Sequence, residues 1–435
     1  MKYLSFFSIL FCPSLAAQQI DYNQAWMAYT SGRYEEALTT IDQCIANDTA
    51  NYQYVFLKGK TLENLYRYDE AITVQRNALR LNPGSTATLS ALATLYLLSG
   101  QPATSAQLYE QLATNEPMVN RWKMNWATAL QTAGKYRDAL ELWKTVVQID
   151  STNWWVYKNM GDCHYRIDSL TCTVDCYRKS LILYPYNKNL YGQLTRILVL
   201  LGRDDEAIAI GKKAVSIDST NVEVWKNMGV AWYHMGIADS ALFHLNKTLA
   251  LGDTSLTTSR HYGLLTHHLA SYHEAEKYLL RAFTSDSSNI NTIMYLASTY
   301  GYTGKAEKGL EVLDKLDKMV AVLDSAGMRA NIQRGYLLRI LNRYNDAAKA
   351  FTSVTKNFPE NLRYYYEVAV CFDMAFKKKQ ALEWYYRFLE KTDPNWATRV
   401  WTENDFKKFE FVDIAMDRVV SLKTDLFFEE EKKKN

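Results

Sequence analysis

At 435 residues, with 48% hydrophobic and 22% charged side chains, the chain is too long for one ordinary core and too apolar for disorder. Fifty Lys and Arg face 47 Asp and Glu, and a net charge of +3 excludes the broad basic field of a nucleic-acid binder. Seven prolines beside 31 Tyr and 11 Trp suit a long helical protein with bulky side chains between its helices.

The first nineteen residues, MKYLSFFSILFCPSLAAQQ, carry one Lys, an apolar run from Tyr3 to Phe11 and then small residues. That order predicts a secretory signal peptide over residues 1–17, cleaved after Ala17, and the run is too short to span a bilayer. A buried first helix is a second reading. A third makes Cys12 the acylated first residue of a lipoprotein, although Phe11 stands where such signals want a small residue. The expectation is an exported protein, periplasmic or outer-membrane associated, and peripheral to the membrane at most. Beyond the leader, Cys44, Cys163, Cys172, Cys176 and Cys371 are odd in number and irregular in spacing, which is no disulfide framework.

From Ser31 onward one phrase recurs: SGRYEEAL, LYRYDEAI, AGKYRDAL, LNRYNDAA. Its small residue returns at Ala37, Ala71, Ser105, Ala139, Thr173, Ala207, Ala241, Ala275 and Gly309, 34 residues apart each time. A step of 38 leads to Ala347 and a step of 34 to Ala381. Twelve residues before each stands Gly or Ala, from Ala25 and Gly59 to Ala369, with Thr195 the exception. A fixed period of this length signals stacked helical units. Each unit reads as two helices, because Gly32, Gly100, Gly134, Gly202, Gly236 and Gly304 fall where a left-handed residue ends the first helix. In ALELWKTVV the apolar residues recur at three and four, one helical face. Pro83, Pro117, Pro185, Pro359 and Pro394 close units, and DST at 150–152 and 218–220 fills that slot with turn and cap chemistry. The small positions are expected where antiparallel helices approach most closely, Gly59 against Ala71 and Gly229 against Ala241.

The four extra residues fall in DKLDKMVAVLDSAGMRAN, where Gly327 suits a break and a bend is expected. The domain reading is therefore units one to nine over 18–327, units ten and eleven over 328–395, and a capping region with a charged tail over 396–435.

These residues resemble the tetratricopeptide repeat. The shared pattern is an early aromatic (Tyr157, Tyr191, Trp225), then Gly or Ala, then a large residue (Tyr96, Trp232, Tyr300). An Ala, an aromatic (Tyr109, Trp143, Tyr177, Phe351, Tyr385) and a closing Pro follow. Unit six departs with Thr195 and Gly211, and unit nine with Gly309. The resemblance implies an all-α fold, an α-solenoid wound as a right-handed superhelix of about eleven helix pairs, whose first helices line a concave groove.

In that family five first-helix positions usually face the groove. They imply partner contacts at Tyr22, Trp26 and Tyr29; at Trp155, Lys158, Asp162, Tyr165 and Arg166; and at Arg196. They continue through Lys226, Tyr233, His234, Arg260, His267 and His268 to Tyr336, Arg339, Arg363 and Tyr366. Aromatics beside Arg and Lys stack on, and hydrogen-bond to, an extended peptide or a sugar chain. The carboxylate clamp of some family members does not transfer, since Asp162 and Glu223 stand where Asn and Lys are wanted.

Two clusters suggest a metal. Cys163, His164, Cys172 and Cys176 share unit five but lack a paired C-x-x-C, and Cys163 should face the preceding unit. His234 and His268 hold one position in adjacent units, which also suits charging in mild acid. Neither cluster has the spacing of a metal site, and the sequence is read as holding no metal and no cofactor. No nucleophile elbow, Walker loop, HExxH or dinucleotide fingerprint occurs. Asp-Ser/Thr followed by Ala, Leu or Thr, as at Asp48, Asp150, Asp218 and Asp324, is similar to an O-glycosylation motif of some envelope proteins and equally suits turns. The function expected is a non-enzymatic protein-binding scaffold of the bacterial envelope. A module that binds or guides a polysaccharide is the alternative, and an enzyme using the Cys/His region is a third reading.

Overall fold

A computed structural model describes residues 13–317 and 325–434, which form α-helices joined by short turns, with no strand among them. Residues 1–12 of the expected leader, and the stretch 318–324 within the segment that carries the four extra residues, lie outside the described residues. Pro13 to Ala17 form the start of the first helix. No described helix is long and apolar enough to cross a membrane.

The chain divides into two compact bodies, one up to Leu201 and one from Gly202 on. The first body holds α1 (Pro13–Thr30), α2 (Tyr34–Asn47), α3 (Tyr52–Asn64), α4 (Tyr68–Leu81), α5 (Thr86–Leu98) and α6 (Pro102–Asn115), then α7 (Asn120–Thr132), α8 (Tyr136–Ile149), α9 (Trp154–Arg166), α10 (Leu170–Leu183) and α11 (Lys188–Leu200). The second opens with α12 (Asp204–Ile217), α13 (Val222–His234), α14 (Ala238–Ala250), α15 (Leu256–His268), α16 (Tyr272–Ser285), α17 (Ile290–Tyr302) and α18 (Ala306–Asp317). It continues with α19 (Ser325–Ile340), α20 (Tyr344–Asn357), α21 (Arg363–Met374), α22 (Lys378–Thr392), α23 (Glu403–Lys408) and α24 (Val412–Lys434).

Within each body successive long helices pack as neighbours as far as α22, on which α24 packs, and α1 also meets α3, α3 meets α5, and α13, α15, α17 and α19 meet in succession. The odd helices therefore line one shared face of each body. The six turn glycines do have positive φ, from 67° at Gly202 to 78° at Gly134. Where the sequence lacks Gly, Tyr66, Asp168, Ala270, Asn342 and Phe376 take the same left-handed conformation, φ 56–60°.

The repeated small residues are buried as expected, Ala37, Ala71, Ala139, Ala207, Ala241, Ala275, Ala347 and Ala381 all at 0% exposure. The glycines expected opposite them are buried too, but the side chains that meet them are others. A Cβ on Gly59 would meet Gln75, one on Gly229 would meet Leu245, and one on Gly335 would meet the Phe351 ring at 2.5 Å. The notch left by each missing Cβ is thus filled by a long side chain one turn beyond the alanine. In unit six the side chain of Met228 occupies the space beside Gly211, and Thr195 satisfies its hydroxyl on the Tyr191 carbonyl, 2.9 Å.

Unit boundaries follow one device. Asp150 and Asp218 accept from the N–H and hydroxyl of Thr152 and Thr220 at 2.6–3.0 Å, and Asn153 and Asn221 then cap the next helix. DST announces the turn, and the Asn that follows it supplies the cap. Asp286 and Asn289 repeat it before α17.

Gly327, expected at a break, is instead buried in the first turn of α19. The division between bodies falls at Leu201 and not at the insertion. Leu337 of α19 reaches both Gly301 and Gly309, where a Cβ would stand 2.9–3.0 Å from it, so α17, α18 and α19 stack continuously. At the C-terminus α24 packs on α22, burying Val412, Ala415, Val419 and Leu422 against Tyr365, Ala369, Tyr385 and Leu389. This is the expected cap, anchored by Arg418 on Asp373 at 2.7 and 2.8 Å.

Candidate partner-binding face

In the first body, several expected contact residues serve packing. Tyr22 stacks on Tyr54 (centroids 5.3 Å) and is half-buried, and Trp155 sits edge-on to the fully buried Trp143 at 5.3 Å. Lys158 pairs with Asp162 at 2.6 Å, and Asp162 also accepts from the Tyr177 hydroxyl, 2.6 Å. That ion pair explains the acid at the clamp position: it neutralises its own lysine. Trp26 remains half-exposed beside Tyr29. The Arg196 guanidinium lies 5.5 Å from the Tyr165 ring, and that of Arg166 lies 6.0 Å from the Tyr136 ring.

In the second body the sequence-expected residues converge more closely. Tyr233 lies among His234, His261 and His268, with centroids at 6.3, 5.7 and 6.5 Å. His234 Nδ1 stands 3.4 Å from Asp204, and His268 meets Tyr295 at 5.2 Å. Around Tyr233, His234, Leu265 and His268 opens a cavity of about 500 Å³. His267 turns inward: its Nδ1 bonds to the Thr299 hydroxyl at 2.8 Å within a ring of Tyr272, Tyr295 and Tyr302. Burial, aided by the neighbouring His268, pushes its pKa down to about 4. Lys226 and Arg260 are engaged by Glu223 (2.5 Å) and Asp286 (2.9 Å), so neither offers a free charge.

Two features escaped sequence reasoning. His261 joins the cluster from a first-helix position outside the five taken as groove-facing, with Nδ1 on the Thr257 carbonyl at 2.8 Å. A second cavity, about 380 Å³, lies among Tyr302, Tyr336, Arg339, Ile340 and Met374. Tyr302, Ile340 and Met374 each end an odd helix at the register of His234 and His268, a row that the period itself could have supplied.

The unit-five cysteines are separated by burial. Cys163 is fully buried in the core that holds Trp143, on the side of α8 as expected, and burial pushes its thiol up to about 12. Cys176 is pushed up to about 11 by the same cause, while Cys172 is exposed. Among the described residues no three His, Cys, Asp or Glu side chains are grouped to hold a metal ion.

The sequence profile of the tetratricopeptide repeat matches residues 22–86 and 332–395. The chain is 27% identical over 163 residues to the BBSome complex member BBS4 of Bos taurus, covering 38% of this chain and 31% of that protein. It is 20% identical over 433 residues to a TPR repeat-containing protein of Methanocaldococcus jannaschii, covering 85% and 69%. The match thus spans less than a third of the cattle protein. Among solved structures, MamA overlaps 37% of this chain and 94% of its own, at 21% identity and a TM-score of 0.35.

Proposed function

The chain is a tetratricopeptide-repeat protein, and we infer that it acts without catalysis as a scaffold of the bacterial cell envelope, holding a protein partner along its odd-numbered helices. Tetratricopeptide-repeat proteins bind protein partners, and the repeat supplies surface in place of a reactive centre. The observation that carries the reading is that first-helix residues stand exposed at recurring registers in each body: Trp26, Arg166 and Arg196 in the first, and His234, His268, Tyr302 and Ile340 in the second. Large apolar and aromatic side chains left in water at one face are what an interface needs. The charge-apolar-small order of the first seventeen residues supports export.

The test is affinity capture from bacterial envelope extract, with the parent chain beside a variant carrying Tyr233→Ser, His234→Ser and His268→Ser. A protein captured in stoichiometric amount by the parent and lost by the variant is expected. Undiminished capture by the variant places the interface elsewhere. Retention on a polysaccharide column with no protein captured favours the glycan reading. Fractionation with N-terminal sequencing checks the location: a chain beginning at Gln18 outside the cytoplasm is expected, and an intact N-terminus in the cytoplasm contradicts it.

A further inference from the structure

The cavity of about 380 Å³ in the second body is walled by α17, α19 and α21, beside the 38-residue step that breaks the period. Gly301 brings α17 and α19 together there, since a Cβ on it would stand 3.0 Å from Leu337 and 3.3 Å from Ile340. The volume is that of a small-molecule site. The cavity shares no lining residue with the one beside Tyr233.

Its walls are chemically unlike. Tyr302, Ile340 and Met374 supply an apolar wall and are all exposed. The Tyr302 ring stacks on Tyr272, centroids 4.1 Å apart and planes 8° apart, which fixes it as a platform. The other wall is polar without free charge. Ser298 and Gln333 are half-buried, and among the described residues their side chains have no hydrogen-bond partner. Arg339 donates to Glu367, which is buried, accepts from the Tyr336 hydroxyl at 3.2 Å and lies 3.7 Å from Arg363. Among the lining residues Arg339 alone is charged, and Glu367 both neutralises it and holds it in place.

We propose that this cavity binds a neutral sugar ring. A pyranose has the same two-sided chemistry, an apolar C–H face and a rim of hydroxyls that both donate and accept. The face lies on the Tyr302 ring and against Ile340 and Met374. The rim meets the Ser298 hydroxyl, the Gln333 carboxamide and the Arg339 N–H groups that Glu367 leaves free. An anion gains little from a guanidinium that is already paired. An extended peptide takes its partners in a row along many units, whereas these donors and acceptors converge on one cavity. The proposal goes beyond the scaffold reading, which places the protein partner on other residues.

The experiment is saturation-transfer NMR of the full chain with methyl glucoside, methyl galactoside, methyl mannoside and N-acetylglucosamine, beside glucuronic acid and adenosine. One or more of the neutral sugars binds with a Kd on the order of a millimolar, and transfer is strongest to the hydrogens of one ring face. Gln333→Leu and Tyr302→Ala each weaken that binding by about tenfold or more. Tyr302→Phe keeps the platform and the affinity, and Tyr66→Ala, at an exposed tyrosine of the first body, leaves the affinity unchanged. A thermal melt of each variant checks the fold, and Tyr302→Phe separates a lost platform from a disturbed helix. No transfer to any neutral sugar, tighter binding of glucuronic acid or adenosine than of every neutral sugar, or undiminished binding by both Gln333→Leu and Tyr302→Ala overturns the proposal. The Tyr233/His234/His268 variant binds the sugar as the parent does, so the failure of either reading leaves the other standing.

Discussion

At the scale of single residues, the costs sit where the chain turns and where helices touch. Ala270 is exposed and holds φ 57°, a conformation that glycine adopts without a Cβ clash. Ala270→Gly is expected to stabilise by about 0.5–1 kcal/mol, read as a raised melting temperature; a lowered one contradicts the strain. Gly335 is the opposite case, because a Cβ there runs into the fully buried Phe351 ring. Gly335→Ala should cost about 1–3 kcal/mol in denaturant unfolding, and so should Ala71→Leu at its fully buried site. His267 sets a pH dependence. Its folded pKa, about 4, lies below the ordinary histidine value of 6.5, so the unfolded chain binds a proton that the folded chain refuses. Stability therefore falls as pH drops from 6.5 towards 4, and is unaffected by this group above that range. The half-buried His244 and His261, both lowered by burial, act in the same direction. Thermal melts across that window should show the fall, and His267→Gln should flatten part of it; an unchanged slope would remove His267 as the cause.

At the scale of helices, the 34-residue recurrence made the pairs, turns and capping region legible from residues such as Gly32, Ala71 and Trp143. It could not reveal which side chain fills which notch. A period states that positions are equivalent, whereas packing chooses a partner one turn further on, as Gln75 does for Gly59. The same limit hid His261, whose register alone does not announce that its ring meets Tyr233. Gly327 misled because glycine ends helices often, yet it also serves in a first turn that is buried. The cap offers an element-scale test. Leu422 is fully buried on the inner side of α24, so Leu422→Ala should cost about 2–4 kcal/mol locally. In a stack of nearest-neighbour contacts the loss spreads outward from the end. Hydrogen exchange should quicken in α21, α22 and α24 while α3 to α10 stay protected. A uniform rise through the chain would contradict the local coupling.

At the scale of the whole chain, the candidate site was legible in part. The family positions led to Arg196, whose guanidinium lies over the Tyr165 ring in the first body, and to Tyr233, His234 and His268, whose rings lie near one another in the second. The same positions also picked out Tyr22, Trp155 and His267, which packing has claimed, because bulky rings between adjacent first helices find partners before solvent does. Location and partner are matters for the cell. The central claim, that the odd-helix face holds a protein, is tested most directly by photo-crosslinking in living cells. A photoreactive residue is placed in turn at Arg166, His268 and Ile340 on odd helices, and at Thr145 and Lys213 on even ones. Protein adducts from the odd-helix positions, and none from the even ones, are predicted. Adducts confined to the even helices, or none at any position, would contradict the account.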